Sequence, residues 1–167
     1  ESVNGIAEKQ YIDTLLLSPL LFPVKQSHAL LKDDKLLTDA LNNPLNDAIK
    51  SLELFYDECN AFAELPTELQ QIYFGLLHDR EGFAAFFDYM EYPAEPETET
   101  LIRSAFSGMI CENAILHEMI MNHPLELAYC LAAIAADDRH AILPPWVRKN
   151  YPITETYLHL LRNRICA

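Results

Sequence analysis

The chain has 167 residues, half of them apolar, and its 25 acidic and 12 basic side chains leave a formal net charge of −13. This length suits one domain, so we predict a single all-helical domain over residues 1–167. The negative charge repels phosphate backbones, which argues against direct nucleic-acid binding and favours a basic protein as partner.

The N-terminal part of the chain predicts two helices separated by an irregular segment. Apolar residues near one face indicate a helix over about residues 5–17. Two prolines within residues 15–24 then indicate an apolar strap without regular structure, and in one interpretation Leu20 and Phe22 of this strap form a docking surface. Ser27 is a suitable N-cap for a second helix over about residues 27–41.

The strongest helix signal follows Asn43-Pro44, because asparagine can cap a helix and proline is already fixed at helical φ. The helix is predicted to continue until Leu65-Pro66. Its apolar residues recur at intervals of three and four in one stripe, which we expect to face the core: Leu45, Ala48, Ile49, Leu52, Phe55, Tyr56, Cys59 and Phe62. Thr67 with Gln70 then predicts a capping box for the next helix.

The C-terminal half predicts further helices. A short aromatic helix over about residues 79–92 precedes an exposed acidic Pro/Glu loop at about 93–100 and a long helix from Leu101 to Asn122. The segment from Pro124 to Ala136 is apolar nearly all round and is therefore expected to be the central buried helix. A short turn opens at Pro144-Pro145, and a final helix starts at Pro152.

No segment of useful length alternates with period two, so we predict an all-α fold. The helix lengths fit a multi-helix bundle or a short α-solenoid-like stack of helical hairpins. No apolar run reaches the ~20 residues that a membrane-spanning helix requires, so no membrane is expected as a partner. The four cysteines match no zinc spacing; we predict reduced, buried thiols and a cytoplasmic location.

The sequence carries no recognisable catalytic motif. His117-Glu118 superficially resembles a helical zinc-protease motif, but the fourth residue after His117 is Met121 rather than a second histidine. There is also no Gly-rich phosphate loop and no Glu-x-x-His pair. We therefore expect no catalytic residues, no metal site and no cofactor, and we predict that the protein is not an enzyme.

The negative charge is concentrated in the middle of the chain. Residues 51–126 hold fifteen acids and two bases, whereas the remaining residues are neutral. Aromatic side chains lie among these acids and add contact area to electrostatic attraction. The predicted partner-binding residues are Glu53, Asp57, Glu58, Glu64, Asp88, Tyr89, Glu91, Tyr92, Glu95, Glu97 and Glu99.

These features predict an acidic protein-binding module that neutralises a basic protein. The most concrete version is a bacterial immunity or inhibitor protein that covers the phosphate-attracting cleft of a cationic nuclease toxin. One alternative is a helical-repeat scaffold or assembly subunit without catalytic activity. A second is a small enzyme whose site is assembled from distant residues. The sequence leaves the oligomeric state open.

Overall fold

The computed structural model describes residues 10–25, 44–93 and 97–163, which form an all-α multi-helix bundle. The predicted helix over residues 27–41 lies outside this described part. Within it the helices are α1 (Thr14–Leu21), α2 (Pro44–Glu64), α3 (Thr67–Leu77), α4 (Ala84–Tyr89), α5 (Thr98–Ala105), α6 (Leu116–Asn122), α7 (Pro124–Ala136), α8 (Pro145–Asn150) and α9 (Ile153–Arg162).

Helix α1 replaces most of the irregular strap that the prolines predicted. The carboxylate of Asp13 accepts hydrogen bonds from the backbone N–H groups of Leu15 and Leu16, and so caps the helix. Pro19 lies inside the helix, where burial of the surrounding residues compensates for the hydrogen bond that proline cannot donate. Leu20 is buried and Phe22 half-buried, so the interpretation of these residues as a docking surface is wrong for Leu20.

The connection between α2 and α3 is tightened by a glutamine rather than by a capping box. The Gln70 side-chain amide donates to the carbonyl oxygens of Phe62, Ala63 and Leu65 at 3.0–3.2 Å. These carbonyls belong to the end of α2 and the residue after it, where the helix leaves acceptors unpaired. The predicted capping box at Thr67 is therefore wrong, since α3 has no side-chain cap.

The predicted long helix over residues 101–122 is wrong, because it is two helices separated by turns. Gly108 adopts a φ of +78°, which a continuing right-handed helix does not contain. Arg103 donates to the carbonyl oxygens of Glu112 and Ala114 at 2.9 and 3.0 Å, and the Cys111 N–H donates to the carbonyl oxygen of Leu161 at 2.7 Å. Bonds to these loop groups compensate for the lost helical turns.

Helix α7 is the centre of the fold, as its composition predicted. All residues from Leu125 to Ile134 are buried, and α1, α3, α6 and α9 pack against the helix. The Tyr129 hydroxyl donates to the carbonyl oxygen of Leu16 at 2.7 Å, which ties α7 to α1. Burial on every face explains why α7 is apolar nearly all round.

Two glycines with positive φ allow a matched test of the loop backbone. Gly82 (φ +88°) lies beside the start of α1, and its carbonyl oxygen accepts the Asp13 N–H at 3.0 Å. A methyl group there meets Asp13 Cβ at 3.3 Å, whereas a methyl group at Gly108 meets nothing within 4 Å. We expect Gly108→Ala to lower the free energy of unfolding by ~1 kcal/mol and Gly82→Ala by ~2 kcal/mol, measured by urea denaturation. Equal losses would contradict the crowding at Gly82.

Among the described residues, two cysteines differ from the predicted reduced, buried thiols. Cys130 is a buried free thiol, but Cys59 is a free thiol that is only half-buried, and Cys111 is disulfide-bonded. Because disulfides persist mainly in oxidising compartments, this bond removes the cysteine argument for a cytoplasmic location. Within the described ranges, no helix combines the length and apolar character needed to cross a membrane.

Candidate functional site

Helix α2 exposes more of its surface than its apolar stripe predicted. Phe62 is buried, but Leu45, Ile49, Leu52 and Tyr56 are 45–65% exposed. The prediction that the whole stripe faces the core is therefore wrong for these four residues. Periodicity identifies the apolar face of a helix, whereas the extent of its burial depends on neighbouring elements.

An acidic groove runs between α2 and the residues that follow α1. It has a volume of about 340 Å³, at the lower end of the range of ligand sites. Two predicted partner-binding acids, Asp57 and Glu64, line it together with Asn60. Their spacing of three and four residues places all three side chains on one helical face. The apolar part of the lining consists of Phe22, Leu54 and Ala61.

A cation of the chain itself already lies in this groove. Lys25 lines it, and the Lys25 ammonium nitrogen is 5.9 Å from the centroid of the Phe22 ring, within the range of a cation–π interaction. Lys25 is also exposed to solvent. The acidic groove thus combines carboxylates, an amide and an aromatic ring, the groups that bind ammonium and guanidinium side chains in proteins.

Glu58 was predicted to bind a partner, but its side chain is fully buried. Within the described part of the chain, neither carboxylate oxygen has a hydrogen-bond partner. Burial raises the pKa of Glu58 to about 9; Lys25 opposes this increase, whereas Asp13 and Asp57 add to it. At neutral pH this side chain is therefore an uncharged acid inside the protein, and the prediction that it is a surface anion is wrong.

The structure brings α2 and α4 together through aromatic rings. Phe55 lies edge-to-face with Tyr89, with ring centroids 5.0 Å apart, and 5.7 Å from the ring of Tyr56. Tyr56 and Tyr89 are each more than half exposed. Of the predicted acids, Asp88 is exposed directly before Tyr89, and Glu53 is exposed three residues before Tyr56. We name Phe55, Tyr56 and Tyr89 the aromatic ridge.

Tyr92 does not belong to the aromatic ridge. Its ring is half-buried and lies 5.5 Å from Phe62 and 5.4 Å from Phe74, within the aromatic cluster of the core. Burial raises the pKa of its hydroxyl. These contacts give Tyr92 a packing role in the core, while Glu91 beside it is exposed.

The acids near the start of α5 divide into three cases. Glu95 lies outside the described residues. Glu97 is exposed, and Glu99 accepts hydrogen bonds from Arg103, with Nη2 at 3.0 Å from Oε1. The predicted loop at 93–100 is also shorter than expected, since α5 begins at Thr98. The negative charge of Glu99 is therefore paired with the positive charge of Arg103 within the chain.

Sequence reasoning missed Lys25, Phe22 and Asn60 as parts of the acidic groove. Asn60 was detectable, because it lies three residues after Asp57 and four before Glu64. Lys25 and Phe22 were not, since they reach α2 only through the packing of α1 against it. Lys25 also lines a larger groove of about 430 Å³ with His140 and Arg148, on the part of the chain that carries no net charge.

The chemistry available at the acidic groove is recognition of a cation. Among the described residues no group of three or more His, Cys, Asp or Glu side chains could hold a metal ion. The Glu58 side chain is fully buried and does not line the groove. No protein-family model, curated protein or solved structure matches the chain.

Proposed function

We propose that this protein is a binding module for a basic protein, and that the acidic groove takes an arginine or lysine side chain of that partner. The observation that carries the proposal is the position of Lys25 beside Phe22 in a groove lined by Asp57 and Glu64. An intramolecular cation there supports the affinity of these groups for a positive charge. Arginine suits them best, because its planar guanidinium pairs with carboxylates and stacks on aromatic faces.

The charge of the rest of the molecule supports the same partner. The exposed acids around the aromatic ridge extend the negative surface of α2 towards α4. Long-range attraction accelerates the encounter with a cationic protein, and exposed aromatic side chains add contact area. A cationic nuclease is the most concrete partner of this kind, because its phosphate-binding cleft presents arginine and lysine side chains. Inhibition of such an enzyme, without catalysis by the chain itself, is the role we propose.

The test uses a hexa-arginine peptide with blocked ends and isothermal titration calorimetry. We expect the double substitution Asp57→Asn with Glu64→Gln to weaken binding about tenfold, since two partly exposed ion pairs of ~0.7 kcal/mol each contribute ~1.4 kcal/mol. The matched control is Glu68→Gln with Glu112→Gln, which removes the same charge from exposed positions outside the groove.

The control decides between a local site and net charge. If both double variants lose affinity equally, attraction depends on overall charge and the groove is not the site. If wild-type protein does not bind the peptide at all, the proposed function is wrong. Lys25→Met is expected to bind more tightly than wild type, because the competing intramolecular cation is absent.

A further inference from the structure

Glu58 is buried on the face of α2 that carries residues of the acidic groove. Leu54 and Ala61, which line the groove, lie four residues before and three residues after Glu58, so all three occupy one face of α2. The Glu58 side chain has no exposed surface, and no described residue forms a hydrogen bond with either of its carboxylate oxygens. A buried polar group in this state is costly and therefore calls for an explanation.

The charged groups around Glu58 come from both packed elements. Asp13 caps α1 and Lys25 follows it, whereas Asp57 and the Cys59 thiol belong to α2 itself. Burial raises the pKa of the Cys59 thiol, and the charge of Glu58 adds to the increase. Among the described groups that act on Glu58, Lys25 is a cation and Asp57 an anion, and both of these side chains line the acidic groove. A further positive charge in the groove therefore acts on Glu58 directly.

We propose that docking of an arginine side chain in the acidic groove releases the proton of Glu58 to solvent, so that binding of the partner strengthens as pH rises. This inference rests on the proposed function. In the step, the O–H bond of the Glu58 carboxyl breaks and its proton passes to the buffer. The guanidinium replaces that positive charge, so the net charge of the buried region and the groove together is unchanged. A buried carboxylate needs such an opposite charge nearby.

The experiment measures protons directly. Hexa-arginine is titrated into the whole chain at neutral pH in two buffers with different ionisation enthalpies, because released protons then contribute a buffer-dependent heat. We expect about one proton released per peptide bound, and a dissociation constant that falls by up to about tenfold per pH unit below the pKa of Glu58. Arginine stays charged throughout this range, so the peptide itself contributes no proton.

Two variants separate Glu58 from other titrating groups. Glu58→Gln keeps the shape of the side chain but has no proton to release, so it should bind more weakly, without buffer-dependent heat and with little dependence on pH. Glu126→Gln changes another buried acid, which lies on α7 away from the groove; it should release protons as wild type does. Thermal unfolding checks that each variant is folded.

The outcomes are distinguishable. Binding of hexa-arginine without proton release, or with equal release in Glu58→Gln, overturns the coupling and leaves the proposed function standing. Absence of binding to wild type overturns both. If Glu58→Gln does not fold, the number of protons released by wild type and by Glu126→Gln on binding tests the coupling. A number near zero overturns it.

Discussion

Replacement of Glu58 by glutamine is expected to change how stability depends on pH. Relative to Glu58→Gln, the free energy of unfolding of wild type should fall by ~3 kcal/mol between pH 4.5 and neutral pH. The pKa of this carboxyl is about 9 in the folded protein against an ordinary value of 4.5. For each pH unit between these two pKa values, the free energy of unfolding decreases by about 1.4 kcal/mol.

The sign follows from the protons bound by each state. Below pH 4.5 the carboxyl is protonated whether the chain is folded or unfolded, so Glu58 adds no pH dependence. Between pH 4.5 and about 9 the folded protein keeps a proton that the unfolded chain has released, so stability decreases as pH rises. Above that range the carboxyl is ionised in both states, and the full loss of stability caused by burying the Glu58 carboxylate is present.

Urea denaturation of wild type and Glu58→Gln across this pH range measures the difference. Titrating groups that both proteins share contribute equally to the two stability profiles, so their effect cancels in the difference. Any effect of the glutamine amide in Glu58→Gln that does not depend on pH cancels as well when the change with pH is compared. Glu53→Gln is the matched control, because Glu53 lies on the same helix and is exposed. Parallel stability profiles for wild type and Glu58→Gln would show that this carboxyl is ionised in the folded protein, and would remove the physical basis of the proton coupling.

Truncation of Phe62 should cause the largest loss of stability. Its ring is 1% exposed and lies edge-to-face with Phe86, Phe87 and Tyr92, with centroids 5.3–5.6 Å apart. Phe62→Ala removes a buried aromatic ring and leaves a cavity among three others, which costs ~3–5 kcal/mol. Urea denaturation with circular dichroism measures the change in the free energy of unfolding.

Tyr56→Ala is the matched control for Phe62→Ala. Both residues belong to the apolar stripe of α2, but Tyr56 is 51% exposed. A substitution at such a surface position changes stability by about 0.5 kcal/mol or less. Comparable losses at the two positions would show that the whole stripe is buried, as its periodicity alone predicts.

Glu58 and Phe62 lie on the same helix, and only one of them was placed correctly by the sequence pattern. The pattern of three and four residues correctly predicted that α2 is a helix and that Phe62 is in the core. Glu58, in contrast, was predicted to be a partner-binding acid, and glutamate is usually exposed. The structure buries it instead, in the helix against which α1 packs. Local periodicity does not contain this information.

The turns between α5 and α6 also depend on tertiary contacts that local periodicity does not contain. Apolar residues at helical spacing predicted one helix over residues 101–122, although glycine at position 108 is a poor helix former. The separation depends on Arg103 reaching the loop carbonyls of Glu112 and Ala114, and on a backbone bond between Cys111 and Leu161. The partners in the last bond lie fifty residues apart in sequence. Tertiary contacts of this kind override helical propensity.

The order of residues was sufficient to predict the helical class, the central position of α7 and the face that Asp57 and Glu64 share. Each of these depends on spacing along a single helix. Which carboxylates face solvent, where Lys25 lies and which stretch of α2 is covered became known from the packed structure, because burial and electrostatic environment come from neighbouring elements. Asp13 and Lys25 flank α1, yet they act on Glu58 in α2.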